Sequence, residues 1–238
     1  MNNRRTYYYP LLVYLLALLL VWVGAFFADV AGMLSGEAVH ISSLISAKGV
    51  RWALRTALPS IEAVPWGVVM VLVATYGLLR GSGLERSLLR LVALRRPTAL
   101  EWRALLFALA VAVCYAVVVY LSTIAPWGML SPITEEPSLS PLVQGWALLL
   151  LTGVLSVSLI YGFIYGNYRS LMDVVVSTGN TFTLFLPAMM ALVPASGIVP
   201  CLQFAGVQQA FGMQWSIMET VLYVLPFLYV LLMEFRCK

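Results

Sequence analysis

The sequence predicts an all-α integral membrane protein with about six transmembrane helices and two amphipathic helices at the membrane interface. Hydrophobic residues make up 62% of the 238-residue chain, and charged residues only 10%. Soluble domains carry about 25% charged residues, so this composition is poorly suited to covering a water-exposed surface. Several apolar runs also approach the length of about 20 residues that a helix needs to cross the hydrocarbon core.

The six predicted spans belong to a single membrane domain that covers residues 1–238. They lie near residues 11–33, 64–80, 104–125, 142–166, 181–200 and 215–233. The first contains an unbroken apolar run from Leu11 to Ala28, which is longer than the apolar region of a signal peptide, about 7 to 15 residues. We therefore expect an uncleaved helix. The tyrosines at positions 7 to 9 suit the aromatic belt at a membrane surface.

Amphipathic segments flank the second predicted span on both sides. Before it, Lys48, Arg51 and Arg55 share one helical face, while another face carries Val50, Leu54, Ala57, Leu58 and Ile61. After it, Arg86 and Arg90 lie one turn apart, opposite a leucine-rich face. Both patterns are typical of helices that lie in the membrane interface. The second segment is either a linker held on the inner leaflet by its charge or a specific lipid or partner site.

The distribution of basic residues predicts that both termini face the cytoplasm. With six spans and the N-terminus inside, the outer segments contain only Lys48, Arg51 and Arg55. All other basic residues fall on the cytoplasmic side, as the positive-inside rule requires. These residues are Arg4, Arg5, Arg80, Arg86, Arg90, Arg95, Arg96, Arg103, Arg169, Arg236 and Lys238.

The fifth predicted span contains Pro187 and Pro194, so we expect this helix to be kinked or broken. Broken helices free backbone groups that transporters use to bind ions and anionic substrates. The alternative is that the prolines only bend the helix against its neighbours. Polar side chains in and near this span and the last one are candidates for a substrate or ion pathway, namely Asn180, Thr181, Gln208 and Glu219.

Glu219 is the sharpest of these candidates, because an ionisable group inside a span is costly and is often functional. It lies near the start of the last span, so its carboxylate could instead reach the interface.

The residues needed for most enzyme chemistry are scarce. His40 is the single histidine, and the three cysteines Cys114, Cys201 and Cys237 form no CxxC pair. No HExxH, GxSxG or phosphate-binding glycine loop occurs in the sequence. We therefore expect no enzymatic activity, no metal site and no cofactor. The arginines lie between apolar spans without interleaved aromatics, so the expected partner is the lipid bilayer and not nucleic acid.

Short motifs in this order resemble the p-aminobenzoyl-glutamate transporter (AbgT) family. The first patch reads Gly49-Val50-Arg51-Trp52, Pro65-Trp66-Gly67 and Ser82-Gly83-Leu84. The second reads Pro137-Ser138-Leu139-Ser140-Pro141, Tyr161-Gly162-Phe163-Ile164-Tyr165-Gly166 and Met172-Asp173-Val174-Val175. Together the two patches cover roughly half of the chain.

The resemblance implies a secondary transporter of the bacterial inner membrane that works as a homodimer. Family members take up p-aminobenzoyl-glutamate, some are described as exporting sulfonamides, and transport is coupled to ions or protons. This chain resembles a short or degenerate member without the re-entrant hairpins, because after Arg96 it continues directly to Glu101-Trp102-Arg103. No core binding residue of the family can be placed on it.

Two functions stay open at this point. The first is a minimal transporter of small anions or drugs, in which Asn180, Gln208 and Glu219 line a polar route. The second is a non-transporting membrane scaffold or accessory subunit derived from such a transporter. An intramembrane enzyme is disfavoured, because the sequence lacks the required catalytic groups.

Overall fold

The computed structural model describes residues 7–35, 43–93, 98–124, 141–206 and 215–236. Within these ranges it contains eight α-helices and no strand. The helices are α1 (Tyr9–Ser35), α2 (Ala47–Glu62), α3 (Trp66–Ser82), α4 (Leu84–Val92), α5 (Ala99–Ile124), α6 (Pro141–Tyr165), α7 (Leu171–Phe204) and α8 (Trp215–Arg236). The predicted all-α membrane fold is confirmed, and α2 and α4 are the two amphipathic helices.

Five of these helices are long and apolar enough to cross a membrane by themselves, namely α1, α5, α6, α7 and α8. Helix α3 is apolar but has only 17 residues, or about 26 Å at 1.5 Å per residue. It passes the same test when it is counted together with α2. The protein is therefore a multi-pass membrane protein, and the number of crossings depends on α3.

Helix α7 differs most from what the sequence predicted. The fifth span was expected at residues 181–200 with a kink or break, but α7 is one continuous helix from Leu171 to Phe204. The helix is therefore not broken, and the kink stays a prediction. Pro187 and Pro194 each remove one backbone donor, and both side chains are buried. Transmembrane helices tolerate such prolines when neighbouring groups satisfy the freed carbonyls.

The early start of α7 comes from a capping box. The Asp173 carboxylate accepts hydrogen bonds from the backbone N–H groups of Arg169 (2.9 Å) and Ser170 (3.0 Å). In return, the Asp173 N–H donates to the Ser170 hydroxyl at 3.3 Å. These bonds satisfy donors that would otherwise be left open at a helix N-terminus. The helix therefore begins ten residues before the predicted span.

The chain divides into two compact units. The first unit consists of Met1–Pro65 and Leu184–Lys238, and it contains α1, α2, the C-terminal part of α7 and α8. The second unit, Trp66–Thr183, contains α3 to α6 and the first part of α7.

In the second unit, α3 and α6 run in the same direction. Near the start of the contact, the Thr75 hydroxyl lies 3.3 Å from the Leu151 carbonyl oxygen. Farther along both helices, Ser82 lies against Gly162. Residue numbers therefore rise together along the contact, as they must in a parallel pair.

Helix α5 runs opposite to α6. The Tyr115 hydroxyl donates to the Leu149 carbonyl at 2.8 Å, whereas Ala104, one end of α5, packs with Tyr161 near the other end of α6. Residue numbers fall along α5 as they rise along α6. The two helices are therefore antiparallel.

In the first unit, α1 and α7 run in the same direction. Tyr14 packs with Ala195, and Ala25 packs with Ala205, so residue numbers again rise together.

Helix α8 runs in the opposite direction to α7. Phe185 at the start of this part of α7 stacks on Phe227 at 6.0 Å, while Leu222, Tyr223 and Ile198 belong to the Tyr14 cluster.

These directions predict that α3 crosses the membrane. Successive spans alternate in direction, so α1 and α7 run the same way only if an odd number of crossings lies between them. Helices α5 and α6 supply two crossings, and α3 supplies the third. If α3 did not cross, α1 and α7 would be antiparallel, contrary to their contacts. Counted over the described helices, the contacts therefore predict six crossings, in α1, α3, α5, α6, α7 and α8, at the upper end of the five to six that length and apolarity allow.

We predict that Lys48 before α3 and Arg86 after it lie on opposite sides of the membrane. Both residues are exposed. In a background without the native cysteines, Lys48→Cys and Arg86→Cys should react with an impermeant thiol reagent from opposite faces of sealed vesicles. Labelling of both positions from the same face would show that α3 does not cross.

Candidate functional site

A close helix contact in the second unit joins α3 to α7 through two glycines spaced as Gly77-x-x-x-Gly81. A Cβ atom at Gly77 would lie 2.8 Å from the Thr181 hydroxyl oxygen, and one at Gly81 would collide with the Ser177 hydroxyl. The Ser177 hydroxyl donates to the Gly77 carbonyl at 3.1 Å. Small residues at this spacing let membrane helices approach closely. We call this contact, with its hydrogen bonds, the glycine seam.

The loop between α6 and α7 completes the glycine seam. The Tyr168 hydroxyl donates to the Leu78 carbonyl at 3.1 Å, and the Asn167 amide donates to the Ser82 carbonyl at 2.6 Å. The Ser82 carbonyl is one of the last four of α3, which have no partner within the helix, whereas the Leu78 carbonyl lies one turn earlier. Gly83 ends α3 with φ of +81°, a conformation that favours glycine. Asn167 therefore caps α3 from outside the helix, and Tyr168 attaches the loop to the turn before.

An ion pair fixes α4 to the start of α5. The Arg90 guanidinium donates to Glu101 Oε1 at 2.6 Å, and Glu101 is only 2% exposed. The other carboxylate oxygen accepts from the Thr98 N–H at 2.9 Å, while the Glu101 N–H donates to the Thr98 hydroxyl at 3.3 Å. A buried carboxylate is tolerated when it is paired and hydrogen-bonded in this way. Sequence reasoning missed this role of Glu101, although Thr-x-x-Glu is the signature of a capping box.

The candidate pathway residues fall in different environments. Thr181 is buried in the glycine seam, and its hydroxyl donates to the Ser177 carbonyl one turn back at 3.1 Å. Its neighbour Asn180 is exposed. Both belong to the second unit, whereas Glu219 belongs to the first. Gln208 lies outside the described residues. The pathway through these four residues stays a prediction.

Glu219 lies in the first turns of α8 and is partly buried. Its carboxylate accepts a hydrogen bond from the Tyr223 hydroxyl at 2.9 Å, one helical turn farther along. The i, i+4 spacing of the two residues was visible in the sequence. The phenol gives the carboxylate a fixed donor at the end of the span, an arrangement that fits both an anchored helix end and a proton-carrying group.

The first unit contains a cleft of about 130 Å³ between α1, α2 and α7. Trp22 and Trp52 form two of its walls, and Trp52 also stacks on Phe204 with ring centroids 4.5 Å apart. Thr56 and Ser60 also line the cleft. The Ser60 hydroxyl already donates to the Thr56 carbonyl at 2.7 Å. The cleft is therefore suited to an apolar group. We call it the tryptophan cleft.

Within the described ranges, no three histidine, cysteine or acidic side chains come together as metal ligands. Cys114 and Cys201 are free thiols. His40 and Cys237 lie outside those ranges.

No family model, curated protein or solved structure matches this chain. The functional argument therefore rests on the contacts within this chain. They establish a helical membrane protein with a closely packed seam in one unit and an apolar cleft in the other.

We predict that Gly81→Ala destabilises the protein by about 1–3 kcal/mol, because the new methyl group forces Ser177 and Tyr168 away from α3. Gly179→Ala is the matched control on α7, since nothing lies within 4 Å of its Cβ position. It should leave stability unchanged or raise it slightly, because alanine is the better helix former. Unfolding in mixed detergent micelles measures both. Equal effects of the two substitutions would mean that the glycine seam does not hold α3 and α7 together.

Proposed function

We propose that this chain is a transport-associated protein of the bacterial inner membrane, and that it forms the framework of an AbgT-like transport system. In this role it is a scaffold or accessory subunit that holds transmembrane helices in place. The motif resemblance to AbgT transporters supports the transport association. The packing of the second unit supports the framework role.

One observation carries this proposal. The hydroxyl groups along α3 and α7 in the second unit bond to backbone carbonyls, either of their own helix or of the helix that they pack against. Examples are Thr75 to Val71 (2.7 Å), Ser177 to Gly77 (3.1 Å) and Thr178 to Val174 (2.8 Å). Side chains committed in this way hold helices together. A substrate route needs polar groups that can exchange partners.

A second candidate function is transport by the chain itself. The observation that favours it is the Glu219–Tyr223 pair on α8, since carboxylates inside spans often carry protons in transporters. The substrate would then be a small anion such as p-aminobenzoyl-glutamate or a drug exported by proton exchange, with Asn180, Thr181 and Gln208 as further candidates along the route.

The proposal also includes the orientation of the chain in the membrane and its oligomeric state. Both termini face the cytoplasm, because Arg86 and Arg90 on α4 then lie at the inner surface with most other basic residues. In intact cells, Lys48→Cys then reacts with an impermeant reagent and Arg86→Cys does not. The resemblance to AbgT transporters further suggests a homodimer.

Proton flux in proteoliposomes separates the two functions. The framework role predicts that neither wild type nor Glu219→Gln moves protons in response to p-aminobenzoyl-glutamate under an imposed pH gradient. Glu62→Gln is the control, because Glu62 is an exposed carboxylate at the end of α2. Substrate-driven flux in wild type would refute a pure framework role. If Glu219→Gln alone abolished that flux, Glu219 would be the coupling carboxylate.

A further inference from the structure

Helix α2 has three distinct sectors when its residues are placed at 100° intervals. The sector against the protein contains Gly49, Trp52, Ala53, Thr56 and Ser60, which are buried or partly buried. The next sector around the helix is apolar and exposed, with Leu54 at 74% and Leu58 at 70% exposure, together with Val50 and Ala57. The third sector carries the exposed cations Lys48, Arg51 and Arg55.

This order of sectors fits a helix in the membrane interface, with protein on one side, hydrocarbon below and headgroups above. Arg51 follows directly after Leu58 around the helix, so the cations border the lipid-facing sector. Within the part of the chain that the structure describes, no carboxylate forms an ion pair with Lys48, Arg51 or Arg55. Glu62 shares their sector two turns beyond Arg55, which leaves the sector with a net positive charge.

The tryptophan cleft lies at the opposite border of the lipid-facing sector. Ala53 and Ala57 line the cleft, and Ala57 is exposed at its mouth. An apolar surface therefore runs without interruption from the arginines, across Leu54 and Leu58, to the mouth of the cleft. The walls beyond the mouth are Leu18, Trp22, Gly197 and Pro200.

We propose that this surface is a binding site for one anionic phospholipid. The phosphate lies against Arg51 and Arg55, one acyl chain follows the exposed leucines of α2, and the end of that chain fills the tryptophan cleft. The charge of the third sector selects an anionic headgroup over a zwitterionic one. The apolar cleft binds the chain, because each methylene that it removes from contact with water or loose lipid adds to affinity. The lipid then fastens α2 to α1 and α7.

Two variants separate the headgroup contact from the chain contact. Arg51→Gln/Arg55→Gln removes the charge and leaves the cleft intact. Gly197→Leu fills the cleft, because a Cβ at Gly197 makes an ordinary 3.5 Å contact with Leu18 and the rest of the side chain projects into the space. Gly24→Leu is the matched control on α1, where nothing lies within 4 Å of the Cβ position.

The test is native mass spectrometry of the full chain released from detergent that contains equal amounts of phosphatidylglycerol and phosphatidylcholine. We expect wild type and Gly24→Leu to retain one phosphatidylglycerol in preference to phosphatidylcholine. The double glutamine variant should lose that preference by roughly fivefold for each arginine. Gly197→Leu should lose retention of both lipids.

Several outcomes would overturn the proposal. They are equal retention of the two lipids by wild type, unchanged preference in the double glutamine variant, and retention by Gly197→Leu at the wild-type level. Equal loss in Gly24→Leu would also overturn it. If Gly197→Leu is not monodisperse, Ala57→Phe blocks the same cleft from its mouth and replaces it. Displacement of the lipid by millimolar inorganic phosphate would indicate a simple anion site instead.

Discussion

Hydrocarbon offers no hydrogen-bond partners, so every polar group inside the membrane must be satisfied by the protein itself. The packing of α3 follows from this constraint. Its last turn would leave carbonyl groups open, and the Asn167 side chain from the α6–α7 loop donates to the one at Ser82. Tyr168 and Ser177 find acceptors for their hydroxyls in the Leu78 and Gly77 carbonyls, which the glycines at positions 77 and 81 leave accessible to α7. The same contacts therefore satisfy the backbone and hold the helices together.

Helix α7 connects this arrangement to the first unit, because it contributes residues to both units. Its direction relative to α1 predicts six crossings among the described helices, with α3 as a span despite its short length. The two amphipathic helices, α2 and α4, each present cations beside exposed leucines, a pattern typical of helices at a membrane interface.

The sequence located most helices because hydrophobicity alone determines which segments enter a bilayer. It missed the start of α7, because the span was predicted only from residue 181, although Ser170 and Asp173 together form a capping signal. The Gly77-x-x-x-Gly81 motif was also legible in the sequence. Its partner Tyr168 was not, because a contact between residues 90 positions apart depends on the path of the chain. For Glu219, the sequence indicated a carboxylate that is costly to place inside a membrane span. The structure shows in addition that the Tyr223 hydroxyl donates a hydrogen bond to it.

The most direct test of this account is oxidative cross-linking between α1 and α7 in the membrane. In a background without native cysteines, Tyr14→Cys should cross-link to Ala195→Cys and Ala25→Cys to Ala205→Cys, because the two members of each pair pack in one cluster. The exchanged pairs, Tyr14→Cys with Ala205→Cys and Ala25→Cys with Ala195→Cys, should not cross-link, since Ala205 is ten residues, or about 15 Å, beyond Ala195 along α7. Cross-links in the exchanged pairs but not in the first two would contradict the parallel arrangement of α1 and α7, and with it the predicted six crossings.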